Sequence, residues 1–470
     1  MPKTDADIAT PSRAVAPATR AAWLIGPALV AGVAYLDPGN VASNMTAGAQ
    51  FGYLLVWVVV LGNAMAWLIQ YLSAKLGIVT GRSLPETLGR RIRNRWARRA
   101  YWLQAELVAM ATDIAEVIGG AVALNLLFGI PLLWGGVITG TVSLVLLMVQ
   151  SRRGPRTFEF VVIGMLAIIA IGFTFGVIIG PPDPAGALGG LVPRFEGTGS
   201  VLLAASILGA TIMPHAIYAH SSLARDRFAP VEIVPAPDTP HLTRSAPSGD
   251  REGADWVKWD GVHEVGHAAS PIGHAANDDL ERRRGISTPR LLRATKWDVS
   301  IAMLIAGTVN LCILLLAAAN LSGVPGTDTL EGAYAALRDG IGPLVATLFA
   351  VGLLASGLAS TSVGAYAGAE IMKGLLHVQI PLIARRLVTL IPALVILGLG
   401  VDPTLALVLS QVVLSFGIPF ALIPLVVLTA RGEMLGRFRN HLATTVAGIA
   451  ASVFLIALNA VLLYLVLSGA

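Results

Sequence analysis

Eleven stretches of this 470-residue chain are long and apolar enough to cross a lipid bilayer as helices, and that fact restricts the fold more than any other. A helix of about 20 apolar residues spans roughly 30 Å of hydrocarbon. The stretches cover 23–48, 53–79, 100–128, 131–150, 158–180, 200–223, 297–320, 342–372, 385–401, 404–429 and 442–468. Hydrophobic residues make up 55% of the chain and charged residues 13%, against roughly 25% charged in an ordinary soluble domain. So much apolar side chain exceeds what one soluble core can bury, which excludes a soluble enzyme, a disordered protein and a disulfide scaffold. The 50 glycines agree, because small residues let membrane helices approach closely. The single cysteine, Cys312, has no partner for an internal disulfide. The expectation is an all-α polytopic membrane protein.

The basic residues set the orientation. With the N-terminus placed in the cytoplasm, 31 of the 33 lysines and arginines fall on the cytoplasmic side, and only Arg194 and Arg338 fall outside. This is a strong positive-inside pattern. It predicts a cytoplasmic N-terminus and an extracytoplasmic C-terminus. It also makes the net charge of +5 a topology signal, so no nucleic acid partner is expected. Residues 1–22 read as a polar cytoplasmic tail without the apolar region of a signal peptide. Residues 224–295 are polar, with Pro, Gly, His and charges of both signs, and read as a mobile cytoplasmic insertion.

Two spans break the rules of a membrane helix. The first contains Ala34-Tyr35-Leu36-Asp37-Pro38-Gly39-Asn40, where Pro38 removes a donor and Gly39 tolerates unusual backbone angles. Unwinding there frees carbonyls such as that of Ala34 and leaves Asp37 at mid-membrane, where its charge calls for a cation. The sixth repeats the device in Ala210-Thr211-Ile212-Met213-Pro214-His215. Two interrupted helices, five spans apart, point to an inverted-repeat transporter with its site between the breaks. The division is 23–180 as the first five-helix repeat, 200–429 as the second, and 442–470 as an added eleventh helix. The donors are Asp37 and Asn40 oxygens, the Met213 thioether, and the Ala34 and Ala210 carbonyls. Oxygen with sulfur suits a borderline divalent transition metal and poorly suits Na⁺, Mg²⁺ or Ca²⁺.

The strings Asp37-Pro38-Gly39-Asn40 and Met213-Pro214-His215 resemble the signatures of the Nramp family of proton-coupled divalent-metal transporters. Further likenesses are the acidic third span with Glu106, Asp113 and Glu116, the pair Arg385-Arg386, and Gln411 in the tenth span. The resemblance covers roughly 20–225 and 290–470. It implies a LeuT-type 5+5 inverted repeat with discontinuous helices 1 and 6. It implies metal binding by Asp37, Asn40, Met213 and the Ala34 and Ala210 carbonyls, with Gln411 joining in some states. Bacterial members mostly import Mn²⁺, with Fe²⁺ and similar ions accepted, which places this chain in a bacterial inner membrane. The chain departs from the family pattern in its long 224–295 connection and in Ala216, where Asn is common.

Glu106, Asp113 and Glu116 are spaced by seven and three residues, which puts them on one helical face. Arg385 and Arg386 answer their charge from the ninth span. The arrangement reads either as a buried ion-pair lattice that fixes packing or as a proton wire. The resemblance favours the wire, together with Asp37 and His215. His220 is a further candidate on that path.

Three features carry less. The string His263-Glu264-Val265-Gly266-His267 matches a zinc-protease motif, but it lies among Gly261, Pro271 and Gly273, outside any helical pattern. His263, His267 and His274 are at most a loose metal buffer. The glycosylation strings at Asn44 and Asn320 have no supporting context. The function that follows is secondary import of Mn²⁺ or Fe²⁺ with protons, without enzymatic activity. The metal is the substrate, and no cofactor and no obligate protein partner beyond the bilayer are expected. The alternatives are a Na⁺-coupled organic-solute symporter of the same fold and, far behind, a membrane zinc protease.

Overall fold

The computed structural model describes residues 26–153, 155–228, 280–282, 284–378 and 380–468. Among these residues every regular element is a helix. The first span is split into α1 (Pro27–Ala34) and α2 (Pro38–Phe51). Then come α3 (Val56–Thr80), α4 (Leu84–Arg91), α5 (Arg95–Phe128), α6 (Leu132–Arg153) and α7 (Pro155–Ile179). The sixth span is split into α8 (Gly197–Ile212) and α9 (Pro214–Arg227). There follow α10 (Thr288–Asn320), α11 (Leu330–Gly340), α12 (Pro343–Leu376), α13 (Leu382–Gly398), α14 (Pro403–Ala430) and α15 (Leu442–Ser468). All eleven expected spans are present, with the first and sixth discontinuous as read from the sequence.

Local chemistry sets the helix ends. Asp37 caps α2 by accepting from the Asn40 N–H at 2.8 Å, with Pro38 at the first helical position, where a missing N–H costs nothing. Ser83 and Glu86 close a capping box on α4. Asp402 caps α14 through the Leu405 N–H at 2.6 Å. The start of α1 is capped from a distance: the Asp298 carboxylate on α10 accepts from the Gly26 and Ala28 N–H groups at 3.2 and 2.9 Å.

The core is formed by the interrupted helices and their partners. α12 packs along α5, α10 along α2, and α8 along α14. Glycines let these helices nearly touch. A Cβ on Gly119 would collide with Pro38, and one on Gly77 with the Ser221 carbonyl. The outermost helix is α15, which packs on α14 and α8 and turns most of its apolar surface to lipid. Where α9 ends, Arg225 ties three elements together. It meets Glu86 of α4 at 2.7 Å, Glu370 of α12 at 2.9 Å and its neighbour Asp226 at 2.7 Å.

One sequence expectation is corrected. The 224–295 insertion is narrower than drawn, because α9 runs to Arg227 and α10 begins at Thr288. Their ends are rich in charge, so an apolar pattern cannot follow them. Leu280, Glu281 and Arg284 also touch the bundle: Glu281 accepts from the Thr288 N–H at 2.9 Å, and Arg284 donates to the Ile78 carbonyl at 2.7 Å. Arg385 and Arg386 stand at the start of the ninth span, as read from the sequence. Both are buried in α13, Arg386 completely. The tail 1–22, the bulk of the insertion and the His263–His267 string lie outside the described residues.

Candidate metal site between the two helix breaks

The breaks in α1–α2 and α8–α9 meet in the buried centre of the bundle. Asp37, Asn40, Met213 and Gln411 are each fully buried. One carboxylate oxygen of Asp37 is held by the Asn40 N–H, and the other accepts from Gln411 Nε2 of α14 at 3.1 Å. Gly39 makes that contact possible, since a Cβ there would overlap the Gln411 amide. The Gln411 Oε1 has no hydrogen-bond partner among the described residues.

Asn40 bridges the two breaks. Its Nδ2 donates to the Tyr35 carbonyl at 2.5 Å and faces the Ala210 carbonyl at 3.4 Å, while its Oδ1 accepts from Asn44 Nδ2 at 2.6 Å. The Asn40 amide hydrogens, which carry partial positive charge, thus lie between carbonyls of both breaks. The Ala34 carbonyl accepts a long bond of 3.3 Å from the Asp37 N–H, as befits an unwinding turn. Met213 sits at φ 40, a left-handed conformation that is unfavourable for a residue with a Cβ. There it stands between the two half-helices, as the C-cap of α8 and the N-cap of α9. The structure therefore brings Asp37, Asn40, Met213, Gln411 and the Ala210 carbonyl to one locality, with the Ala34 carbonyl on the adjoining turn.

The acidic face of α5 meets α13 as expected from the spacing. Arg386 Nη1 lies 2.7 Å from Asp113 and 3.1 Å from Glu116. Arg385 lies 3.0 Å from Glu106 and 3.4 Å from Asp113. Arg386 also donates from Nε to Ser143 at 3.1 Å and from Nη2 to Thr361 at 3.3 Å, so all three of its guanidinium nitrogens are engaged. One Glu116 oxygen, Oε1, has no hydrogen-bond partner among the described residues. Gly364 leaves room beside it, and Gly368 leaves room for Arg385. His215, the second residue of α9, pairs Nδ1 with Thr112 of α5 at 3.2 Å and so joins the break to the acidic helix. His220 pairs instead with Gln70 of α3 at 2.7 Å.

Sequence reasoning missed several residues. Asn44, set aside with its glycosylation string, holds the Asn40 side chain and keeps its own Oδ1 unpartnered. Asn310 of α10 donates to the same Tyr35 carbonyl at 3.1 Å. Ser43, Ser206 and the Val408 carbonyl form a chain at 2.6 and 3.1 Å that laces α2, α8 and α14. A polar residue inside an apolar span was the available signal for each. Among the described residues no group of three or more His, Cys, Asp or Glu gathers as a metal cluster. The site is built instead from one carboxylate, amides, carbonyls and a thioether.

Several known proteins resemble this chain along most of its length. The chain is 55% identical over 447 residues to a divalent metal cation transporter, MntH, of Mycobacterium tuberculosis, covering 95% of this chain and 92% of that one. It is 41% identical over 442 residues to the Bacillus subtilis protein of the same name, covering 93% and 91%. Its fold matches the crystal structure of a manganese transporter from Eremococcus coleocola with TM-score 0.72 and 30% identity, covering 96% of this chain and 87% of that one. The sequence profile of the Nramp family, described as natural resistance-associated macrophage protein-like, matches residues 28–465, and the chain belongs to that family.

Proposed function

We propose that this protein is a secondary active transporter that imports Mn²⁺, and also Fe²⁺ and similar divalent ions, together with protons. The observation that carries the reading is the meeting of one carboxylate, two amides and a thioether at two facing helix breaks. The named relatives and the manganese transporter of like fold support it.

The ligands are Asp37, Asn40, Met213, Gln411 and the Ala34 and Ala210 carbonyls. Turning the Asn40 amide over exchanges Nδ2 for Oδ1 and puts an oxygen among carbonyl oxygens. That arrangement is stable only around a cation. Asn44 can follow the turn, because its free Oδ1 accepts from the turned Asn40 amide. Gln411 likewise has an unused oxygen to offer. Asp37 supplies the charge that a divalent ion needs in a low-dielectric site. Metal and proton compete for that carboxylate. The displaced proton passes by His215 and Thr112 to Glu116, Asp113 and Glu106, whose charges Arg385 and Arg386 balance.

The two five-helix repeats, 23–180 and 200–429, rock about the breaks to expose the site to each side in turn, with 442–470 outside the repeats. The N-terminus is cytoplasmic, the C-terminus extracytoplasmic, and the membrane is the bacterial inner membrane. Met213 and the single carboxylate favour a bare metal ion over an organic solute with Na⁺. The test is uptake by protein reconstituted in liposomes with an acidic exterior. Mn²⁺ accumulation that collapses with the pH gradient supports the reading, and solute uptake driven by Na⁺ without metal uptake rejects it.

A further inference from the structure

Helix α14 contains two prolines within its span, Pro419 and Pro424. A proline has no N–H, so the carbonyl four residues earlier loses its donor. In α14 those carbonyls belong to Ser415 and Phe420. A freed carbonyl inside a bilayer is costly unless a neighbouring helix supplies a donor. Here two different helices supply them. Asn459 of α15 donates Nδ2 to the Ser415 carbonyl at 3.0 Å and accepts the Ser415 hydroxyl on Oδ1 at 2.8 Å. Tyr101 of α5 donates its hydroxyl to the Phe420 carbonyl.

The Asn459 pair is specific. α15 is a mainly apolar helix that buries Gly448, Ala451, Ser452, Leu455, Leu458 and Leu462 beside Asn459, with Gly448 close to Val426 of α14 and the Ser452 hydroxyl bonded within its own helix. An asparagine on such a helix is unfavourable unless its amide is bonded. Both ends of this amide are used on one residue, Ser415. By helix geometry the Ser415 N–H bonds the Gln411 carbonyl, one turn back. On the other side, α8 presses on that same turn: a Cβ on Gly209 would run into the Gln411 carbonyl and lie 2.9 Å from the Ser415 nitrogen. The turn that aims Gln411 at Asp37 is therefore gripped between α8 and α15. Beside it an open apolar groove of about 500 Å³ is lined in part by Tyr101, Phe416, Pro419, Phe420 and Asn459, so the outer side of the proline segment is not backed by another helix there.

We propose that Asn459 is a positioning residue for metal binding. It supplies the hydrogen bond that Pro419 removes, and so holds the turn of α14 that carries Gln411 against Asp37. The eleventh helix, outside the two repeats, thereby sets metal affinity. The proposal rests on the reading of Gln411 as a metal ligand.

The test is a cycle of variants in nanodiscs, read as Mn²⁺ dissociation constant, with KM and maximal rate of uptake measured in liposomes. Asn459→Leu is expected to weaken Mn²⁺ binding about tenfold, through KM more than maximal rate. In a Gln411→Ala background the same change is expected to add little, because residues that act as a unit are not additive. Pro419→Ala gives residue 419 a backbone N–H that can donate to the Ser415 carbonyl, and is expected to recover most of the affinity lost in Asn459→Leu. Losses that add in full in the double variant, or no recovery with Pro419→Ala, would show that Asn459 only packs α15. If Asn459→Leu does not reach the membrane, Asn459→Ser, too short to reach Ser415, carries the same test. Gln411→Ala distinguishes the two failures. Wild-type affinity in that variant removes the ligand reading and this proposal with it. Weakened affinity there, beside an unaffected Asn459→Leu, overturns this proposal alone.

Discussion

Asp37 has both carboxylate oxygens engaged, one on the Asn40 N–H and one on the Gln411 amide. The contact with Gln411 depends on the bare Cα of Gly39. Gly39→Ala is therefore expected to lower Mn²⁺ affinity at least tenfold while the protein still assembles, measured as binding to purified protein. Met213 is expected to act as a selectivity filter. A thioether is a good ligand for the soft Cd²⁺, is tolerated by Mn²⁺ and Fe²⁺, and is a poor exchange for water on Ca²⁺ or Mg²⁺. Met213→Ala admits a water in its place, so Mn²⁺ uptake should survive and excess Ca²⁺ should become an inhibitor. Unchanged Ca²⁺ sensitivity would reduce Met213 to packing. At this scale the sequence disclosed what proline and charge mark. Asp37 and Met213 stand next to helix breakers inside apolar runs, and that pattern is visible without coordinates. Asp298, Asn310 and Asn459 find partners 272, 275 and 44 residues away. No periodicity encodes such pairings, so they became legible only when the helices were in place.

Helices α5 and α13 are joined by charge. Arg386 is fully buried against Asp113 and Glu116. Removing one member of such a buried pair leaves the others uncompensated, typically at about 3–5 kcal/mol. Arg386→Leu should accordingly lower the thermal stability of the detergent-solubilised protein far more than a surface arginine change such as Arg338→Leu. Glu116→Gln tests coupling while keeping shape. Metal binding should persist, and the dependence of uptake on external pH should flatten. A wild-type pH profile would take Glu116 off the proton route. Spacing on one helix was enough to expect the acidic face. Arg385 and Arg386, at the start of the ninth span, are the answer that charge balance calls for. Their burial takes them out of the positive-inside count, because a charge answered within the protein no longer reports which side of the membrane it faces.

For the molecule as a whole, apolar length alone yields the eleven spans, since nothing else satisfies the backbone in lipid. It fails where helices leave the bilayer, at the charged ends of α9 and α10. Those ends define where the polar connection can be cut. Replacing residues 232–277 with a short Gly/Ser linker keeps the Glu281 and Arg284 contacts and should leave Mn²⁺ uptake within a few-fold of wild type. Loss of transport in a folded protein would assign that connection a role in the cycle. The central claim, that one buried carboxylate couples a divalent ion to protons, is tested most directly by Mn²⁺ uptake and internal pH recorded together in the same liposomes. Wild type should take up Mn²⁺ and acidify the lumen as it does so, and Asp37→Ala should do neither while remaining folded. Mn²⁺ entry without acidification in wild type, or near-normal Mn²⁺ entry in Asp37→Ala, would contradict it.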